Sequence, residues 1–242
     1  MSFTLKQHYI KLDEKVNLAF IPARGGSKRI PRKNLRDFHG QPLLRRAIEG
    51  CIDASCFDEI IVSTDDEEIA TRAESFGASV VFRPMALADD FATTTEVLRH
   101  FISSRAALEQ DSSAAVTKVY PATYFGGSII RDFVNSAEKN LLVPHVTVGR
   151  FESNPSRALK NAPDGLLELV DSRLSKVRSQ DLESFFFDAG KLYLASVGLW
   201  LETENVLDGP VVGFELPRWA SVDLDTIEDW QCAEALFEAQ FH

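Results

Sequence analysis

Val16-Asn-Leu-Ala-Phe-Ile21 is an almost wholly apolar run that stops at Pro22, and Ala23-Arg-Gly-Gly-Ser-Lys-Arg-Ile-Pro-Arg-Lys-Asn34 follows it. The first piece reads as a buried strand, and the second opens a polar loop that continues to about Gly40. Beyond the loop, Leu43, Leu44, Ala47, Ile48, Cys51 and Ile52 recur at helical spacing and predict an amphipathic helix over 42–55. The alternation then repeats. Residues 59–64 read as a strand, and Asp65 and Asp66 stand where a helix N-terminus favours acids. That helix carries Ile69, Ala73 and Phe76 and closes at Gly77. A strand over 78–82, a helix over 94–108, a strand over 116–120 and a helix over 128–139 complete the series. Strands separated by helices of this length are βαβ units, so the expected fold is a three-layer, Rossmann-like α/β domain with a mostly parallel sheet. Such sheets bind ligands outside the carboxyl ends of their strands. The loops after Ile21, Val62, Phe82 and Tyr120 are therefore expected to share one crevice.

The second half is less regular. Between 143 and 216 short strand-like pieces are separated by Pro144, Pro155, Pro163 and Pro210, which suggests an insertion acting as a lid or oligomer contact within a single domain of 242 residues. Residues 220–224 read as a further strand, leading into a helix that carries Ile227, Trp230, Ala233, Phe237 and Phe241, with Thr226 and Asp229 as its capping box.

Composition narrows the function. With 45% hydrophobic and 26% charged residues the chain resembles an ordinary globular protein rather than a disordered or fibrous one. A formal charge of −10 argues against a generally basic nucleic-acid surface, and no apolar run is long enough to cross a bilayer. Lys6, Lys11, Asp13, Glu14 and Lys15 leave no apolar core for a secretory signal, so a cytoplasmic location is expected. Cys51, Cys56 and Cys232 are odd in number and match neither a disulfide framework nor a metal-binding spacing.

Five cations, Arg24, Lys28, Arg29, Arg32 and Lys33, fall within ten residues of this acidic chain. Gly25 and Gly26 allow backbone N–H groups to approach an oxyanion, Ser27 adds a hydroxyl, and Arg24 can grip phosphate oxygens bidentately. At the carboxyl end of a first strand, such a loop calls for a polyanion, with a triphosphate the natural candidate. It is neither a Walker loop nor G-x-G-x-x-G. Near the other end, Asp223 and Asp225 lie two apart in an extended segment and so project from one face. Two hard oxygen donors with room for water suit Mg²⁺ bridging phosphates. The same residues also fit a helix cap, or in part the D-x-D of phosphatases whose first Asp attacks phosphorus.

This loop, together with Leu35-Arg-Asp-Phe, Gly40-x-Pro-Leu, Ile61-Val-Ser-Thr-Asp-Asp66, Arg83-Pro-x-x-Leu-Ala-x-Asp90, Phe187-Asp-Ala-Gly190 and Val222-Asp-Leu-Asp-Thr-x-Glu-Asp-Trp230, resembles the acylneuraminate cytidylyltransferase family. The likeness runs over roughly 16–232. It implies transfer of CMP from CTP to the anomeric hydroxyl of a nonulosonic acid with release of pyrophosphate. The Ala-Asp-Asp-Phe-x-x-Thr-Thr run and the Asp-Ala-Gly…Tyr segment favour pseudaminic acid, with sialic and legionaminic acids as alternatives. By the same resemblance Arg24, Ser27, Lys28, Lys33 and Asn34 bind the triphosphate, Arg83 and the stretch from Ala92 to Thr94 contact cytosine, and Asp223 and Asp225 hold Mg²⁺. It also implies a homodimer through the 143–216 stretch.

On the sugar side, Tyr120-Pro-Ala-Thr-Tyr-Phe125 lies where relatives carry Pro-Thr-x-Pro, with Tyr124 in place of the second proline. A carboxylate on the sugar calls for a cation, for which Arg150 and Arg157 are candidates, and Asp188 and Tyr193 are candidates for its hydroxyls or amides. The five histidines form no cluster, and no nucleophile-base-acid triad can be drawn. A phosphatase acting through Asp223 and a non-catalytic nucleotide or sugar binder are the readings from other classes.

Overall fold

The computed structural model describes residues 15–88, 92–137 and 141–241. Asp89, Asp90 and Phe91 of the sugar-enzyme motif lie outside the described residues, as do residues 1–14 and 138–140. The elements run β1 (Asn17–Pro22), β2 (Asp37–Phe38), β3 (Gln41–Pro42), α1 (Leu43–Ala54), β4 (Glu59–Thr64), α2 (Glu67–Ser75), β5 (Ser79–Phe82), α3 (Thr94–Ser103), α4 (Ala106–Gln110), β6 (Ala115–Val119) and α5 (Gly127–Ser136). They continue with β7 (His145–Arg150), β8 (Leu159–Asn161), β9 (Leu167–Leu169), β10 (Phe186–Ser196), α6 (Val197–Glu202), β11 (Val212–Glu215) and α7 (Ile227–Phe241).

Seven strands form the central sheet in the order β11-β7-β10-β6-β1-β4-β5. β1 pairs in parallel with β4 and β6, β4 with β5, and β7 with β11, while β10 runs antiparallel to both its neighbours. All six residues of β1 are buried, because its alternate side chains enter different cores. Ala19 and Ile21 pack with α1, α2 and α5 on one face, and Leu18 and Phe20 with α3 and α6 on the other. A third cluster joins the two ends of the chain: Ile30, Phe38 and Leu43 pack against Tyr124, Leu224, Trp230 and Ala233. It anchors the cationic loop to the start of α7.

Three expectations change. The helix over 94–108 is two helices, because Arg105 takes an extended conformation between them, its guanidinium bound to Glu59 across the fold. Residues 220–224 add no strand. A 3-10 turn, Arg218–Ala220, precedes an irregular segment, and the buried Ala220 and Leu224 are spent in packing rather than in a ladder. The stretch expected as an insertion over 143–216 supplies β7, β10 and β11 to the central sheet, and residues 151–185 alone stand apart from it, carrying the β8–β9 hairpin.

Candidate active site

The carboxyl ends of β1, β5 and β6 open on a cleft of about 690 Å³. Residues of the β1 loop, Arg83, Ala92, Thr94, Tyr120, Asp188, Tyr193, Asp223 and Asp225 line this one cavity. The amino-terminal cations and the carboxyl-terminal acids thus meet, although some two hundred residues separate them.

The loop is held from behind by acids. Gly25 donates its N–H to Asp65 Oδ1 at 3.1 Å, and Arg32 pairs with Asp66 and Glu68 on the outer side. A Cβ on Gly25 would lie 2.6 Å from Asp66 Oδ2, so glycine is required there by close approach. Gly26 has open space around it, and neither glycine has a positive φ; between residues 23 and 36 the left-handed residue is Arg32, at φ 54°. The expected nest of glycine N–H groups is therefore modified: Gly25's donor is taken by Asp65, and the cavity is lined by the side chains of Arg24, Ser27, Lys28, Lys33 and Asn34. Asn34 in turn donates through Nδ2 to the Arg24 carbonyl at 2.9 Å, closing the loop on itself.

Asp223 and Asp225 both face the cleft because Leu224, fully buried between them, points the other way into the third cluster. Thr226 and Asp229 form the capping box that starts α7: the Asp229 N–H donates to Thr226 Oγ1, and Asp229 accepts the Thr226 N–H at 2.7 Å. The acid pair is thereby fixed to a helix end. Arg29 reaches across to Asp225 at 2.5 Å. Burial lowers the pKa of Lys33, opposed by the charges of Asp223 and Asp225, so Lys33 faces the carboxylates as a partly desolvated cation. The D-x-D of a phosphatase does not fit: Asp223 and Asp225 lie in an irregular segment and not at the end of a strand.

At the carboxyl end of β5, Arg83 donates to the Ser63 carbonyl while its Nε is buried with no partner, and burial lowers its pKa. On β10, Tyr193 donates its hydroxyl to Asp188, at 2.8 and 2.7 Å to the two oxygens, and the Gly190 N–H donates to Asp188 Oδ1. Desolvation raises the Tyr193 pKa further above its ordinary value, so its proton stays on the phenol. Arg150 and Arg157 are not in the cleft. Arg150 is bound to Glu215 through two hydrogen bonds, Arg157 donates to the Val177 carbonyl, and both border a separate depression beside residues 151–158; Arg150 also borders a further depression that reaches Asp223 from another side. Tyr124, the residue in the proline position, also faces away: it is 2% exposed and its hydroxyl donates to the Trp219 carbonyl at 2.7 Å.

Two lysines beneath the cleft have no counterpart among the residues read from sequence. Lys191 on β10 is fully buried, donates to the Ala122 carbonyl at 3.1 Å, and has its pKa lowered by burial to about 7 against the pull of Asp223. Lys118 on β6 is 3% exposed and is enclosed by Tyr120, Tyr193 and Trp200. Strand alternation alone could not distinguish either from a solvated lysine.

A family profile described as cytidylyltransferase matches residues 18–111. The pseudaminic acid cytidylyltransferase of Campylobacter jejuni is 35% identical over 227 residues, covering 92% of this chain and 96% of that one. The CMP-N,N'-diacetyllegionaminic acid synthase of Legionella pneumophila is 31% identical, covering 91% and 96%. Among solved structures, the CMP:2-keto-3-deoxy-manno-octonic acid synthetase complexed with CTP superposes with a TM-score of 0.64 at 16% identity, over 93% of this chain and all of that one, a likeness of fold.

Proposed function

The chain belongs to the cytidylyltransferase family that includes the pseudaminic acid enzymes, and from that premise we propose that it transfers CMP from CTP to the anomeric hydroxyl of a nonulosonic acid, pseudaminic acid foremost. The observation that carries this reading is the single cleft in which Arg24, Lys28 and Lys33 face Asp223 and Asp225. A triphosphate is the ligand that answers both sets, since its oxygens take cations directly and share hard cations with carboxylates.

In the reaction the anomeric oxygen attacks the α-phosphorus in line, the bond from that phosphorus to the bridging oxygen of pyrophosphate breaks, and the hydroxyl proton leaves to water. Positioning and charge neutralisation supply most of the acceleration. Arg24, Lys28 and Lys33 meet the charge that grows on the departing pyrophosphate. Lys33, held between burial and the acids, is the cation we assign to the phosphate under attack. Arg83 and Ala92 orient the base, with the unpaired Nε of Arg83 offering a donor to a cytosine acceptor. Asp188, fixed by Tyr193 and Gly190, accepts from sugar hydroxyls or amides.

The donor set suits Mg²⁺. Asp223 and Asp225 are two hard oxygen donors on one side of a fixed segment, and among the described residues no larger cluster of metal-ligating side chains exists. Mg²⁺ draws its remaining ligands from phosphate and water. Bound there, it would neutralise phosphate charge and acidify a nearby hydroxyl.

We read residues 151–185 as the lid or homodimer contact, on the strength of exposed Phe151, Leu159, Leu167, Val170 and Phe185, and place the activity in the cytoplasm. No helix among the described residues is long and apolar enough to cross a membrane. Incubation with CTP, Mg²⁺ and pseudaminic acid, beside parallel reactions with sialic and legionaminic acids, tests the reading. The expected result is pyrophosphate release and a CMP-sugar, fastest with pseudaminic acid. Intact CTP with every nonulosonic acid contradicts it.

A further inference from the structure

Of the two buried lysines beneath the cleft, both left unused by the proposed chemistry, Lys118 is the one joined to hydroxyls that line it. It pairs across the sheet with Tyr193, and its ammonium lies 5.5, 4.7 and 5.2 Å from the rings of Tyr120, Tyr193 and Trp200. Its hydrogen-bond acceptors are Thr94 Oγ1 at 3.2 Å and Thr95 Oγ1 at 3.4 Å. Thr94 Oγ1 is in turn 2.7 Å from the Tyr120 hydroxyl, and both residues line the cleft. Burying a lysine here costs desolvation, which neutral oxygens and aromatic faces offset only in part. A methionine or leucine would fill the same aromatic box without that cost. Packing alone thus gives no reason for the charge.

Proton counting gives one. The Thr94–Tyr120 pair has two hydroxyl protons, and the bond between them uses one. With the ammonium occupying a Thr94 lone pair, the pair is polarised to give the other proton away rather than to accept. The free proton has the cleft to point into. Cations of the β1 loop line the same cleft, Arg157 lines a different depression, and Arg150 is paired with Glu215. Lys118 is a positive charge set against the Tyr120 ring and within reach of the Asp188 charge, the end we assign to the sugar. We propose that Lys118 is a positioning residue which, through Thr94, sets Tyr120 to donate to an acceptor oxygen, carboxylate or N-acyl carbonyl, of the acidic sugar. Burial lowers the ammonium's pKa to about 8, opposed by Asp188, which leaves it charged at neutral pH.

The inference rests on the CMP-transfer reading, and steady-state kinetics separate the two. Wild type, Lys118→Met, Tyr120→Phe and the double variant are compared for kcat and for the KM of each substrate, with melting temperatures alongside. Losing a charge-supported hydrogen bond is expected to raise the sugar KM by about tenfold in either single variant. The CTP KM should stay within about twofold, and the double variant should be no worse than the singles, because both remove one proton donor. The melting temperature of Lys118→Met should not fall, since a buried charge has been removed. An unchanged sugar KM, a rise in the CTP KM instead, additive losses, or a loss of kcat accompanied by a lowered melting temperature each overturn the proposal. Failure of the wild type to turn over CTP with any nonulosonic acid is a different result: it removes the transfer reading, and this inference with it.

Discussion

Asp225 carries a capping segment, a partner for Arg29 and one of the two cleft carboxylates, and these roles differ in what their loss costs. The exposed ion pair is worth little, and the α7 cap itself is made by Thr226 and Asp229. Asp225→Ala should therefore melt within a few degrees of wild type while kcat falls by about two orders of magnitude or more, the scale of a lost charge stabiliser. Near-normal Mg²⁺-dependent turnover in that variant removes the metal assignment. Lys33→Ala should behave likewise, with a large loss of rate and a small change in melting. Lys191 makes a prediction about pH. Its folded pKa, about 7, lies below the ordinary lysine value of 10.5, so between the two the unfolded chain holds the extra proton. Stability then rises with pH across that window, and the full penalty is felt below it. Lys191→Met should raise the melting temperature at pH 6 and do so less at pH 9, as followed by calorimetry. Equal destabilisation at both pH values contradicts the assignment.

At the scale of elements, the helices with a clear 3.6-residue rhythm are readable within a residue or two: 42–55 is found as Leu43–Ala54, and the Thr226–Asp229 box starts α7 as expected. The reading fails where apolar residues have two possible partners. Ala220 and Leu224 look like a strand, but the edge of the sheet beside β7 is taken by β11, and they pack elsewhere. The cationic loop and acid pair are legible because charge and glycine are concentrated there. Lys118 and Lys191 are not, since their enclosure depends on which strands become neighbours across β6 and β10. Arg150 and Arg157 stand outside the cleft for a related reason: Arg150 ends β7, which runs beside β10, and pairs with Glu215, while Arg157, in a 3-10 turn beyond that strand, donates to the Val177 carbonyl. Gly25→Ala tests the loop as a unit. The new methyl would press on Asp66, so CTP affinity should fall well beyond the change in global stability, whereas Gly26→Ala, with open space around it, should bind nearly as before.

In the whole molecule, the third hydrophobic cluster ties the loop after β1 to the segment before α7, and this joining makes a cation-and-carboxylate cleft from the two ends of the chain. The parallel sheet supplies the edge on which the cleft is built, and antiparallel β10 brings Asp188 and Tyr193 to it from the second half. Residues 151–185 stand outside this frame with apolar side chains exposed, and light scattering of the purified chain should give a dimer mass if they meet their counterparts in a second copy. The most direct measurement is a crystal structure grown with CTP and Mg²⁺. The account predicts the triphosphate lying between Lys33 on one wall and Asp223 and Asp225 on the other, with cytosine toward Arg83. A nucleotide bound with its phosphates away from the β1 loop, or one that leaves the two carboxylates facing empty solvent, contradicts it.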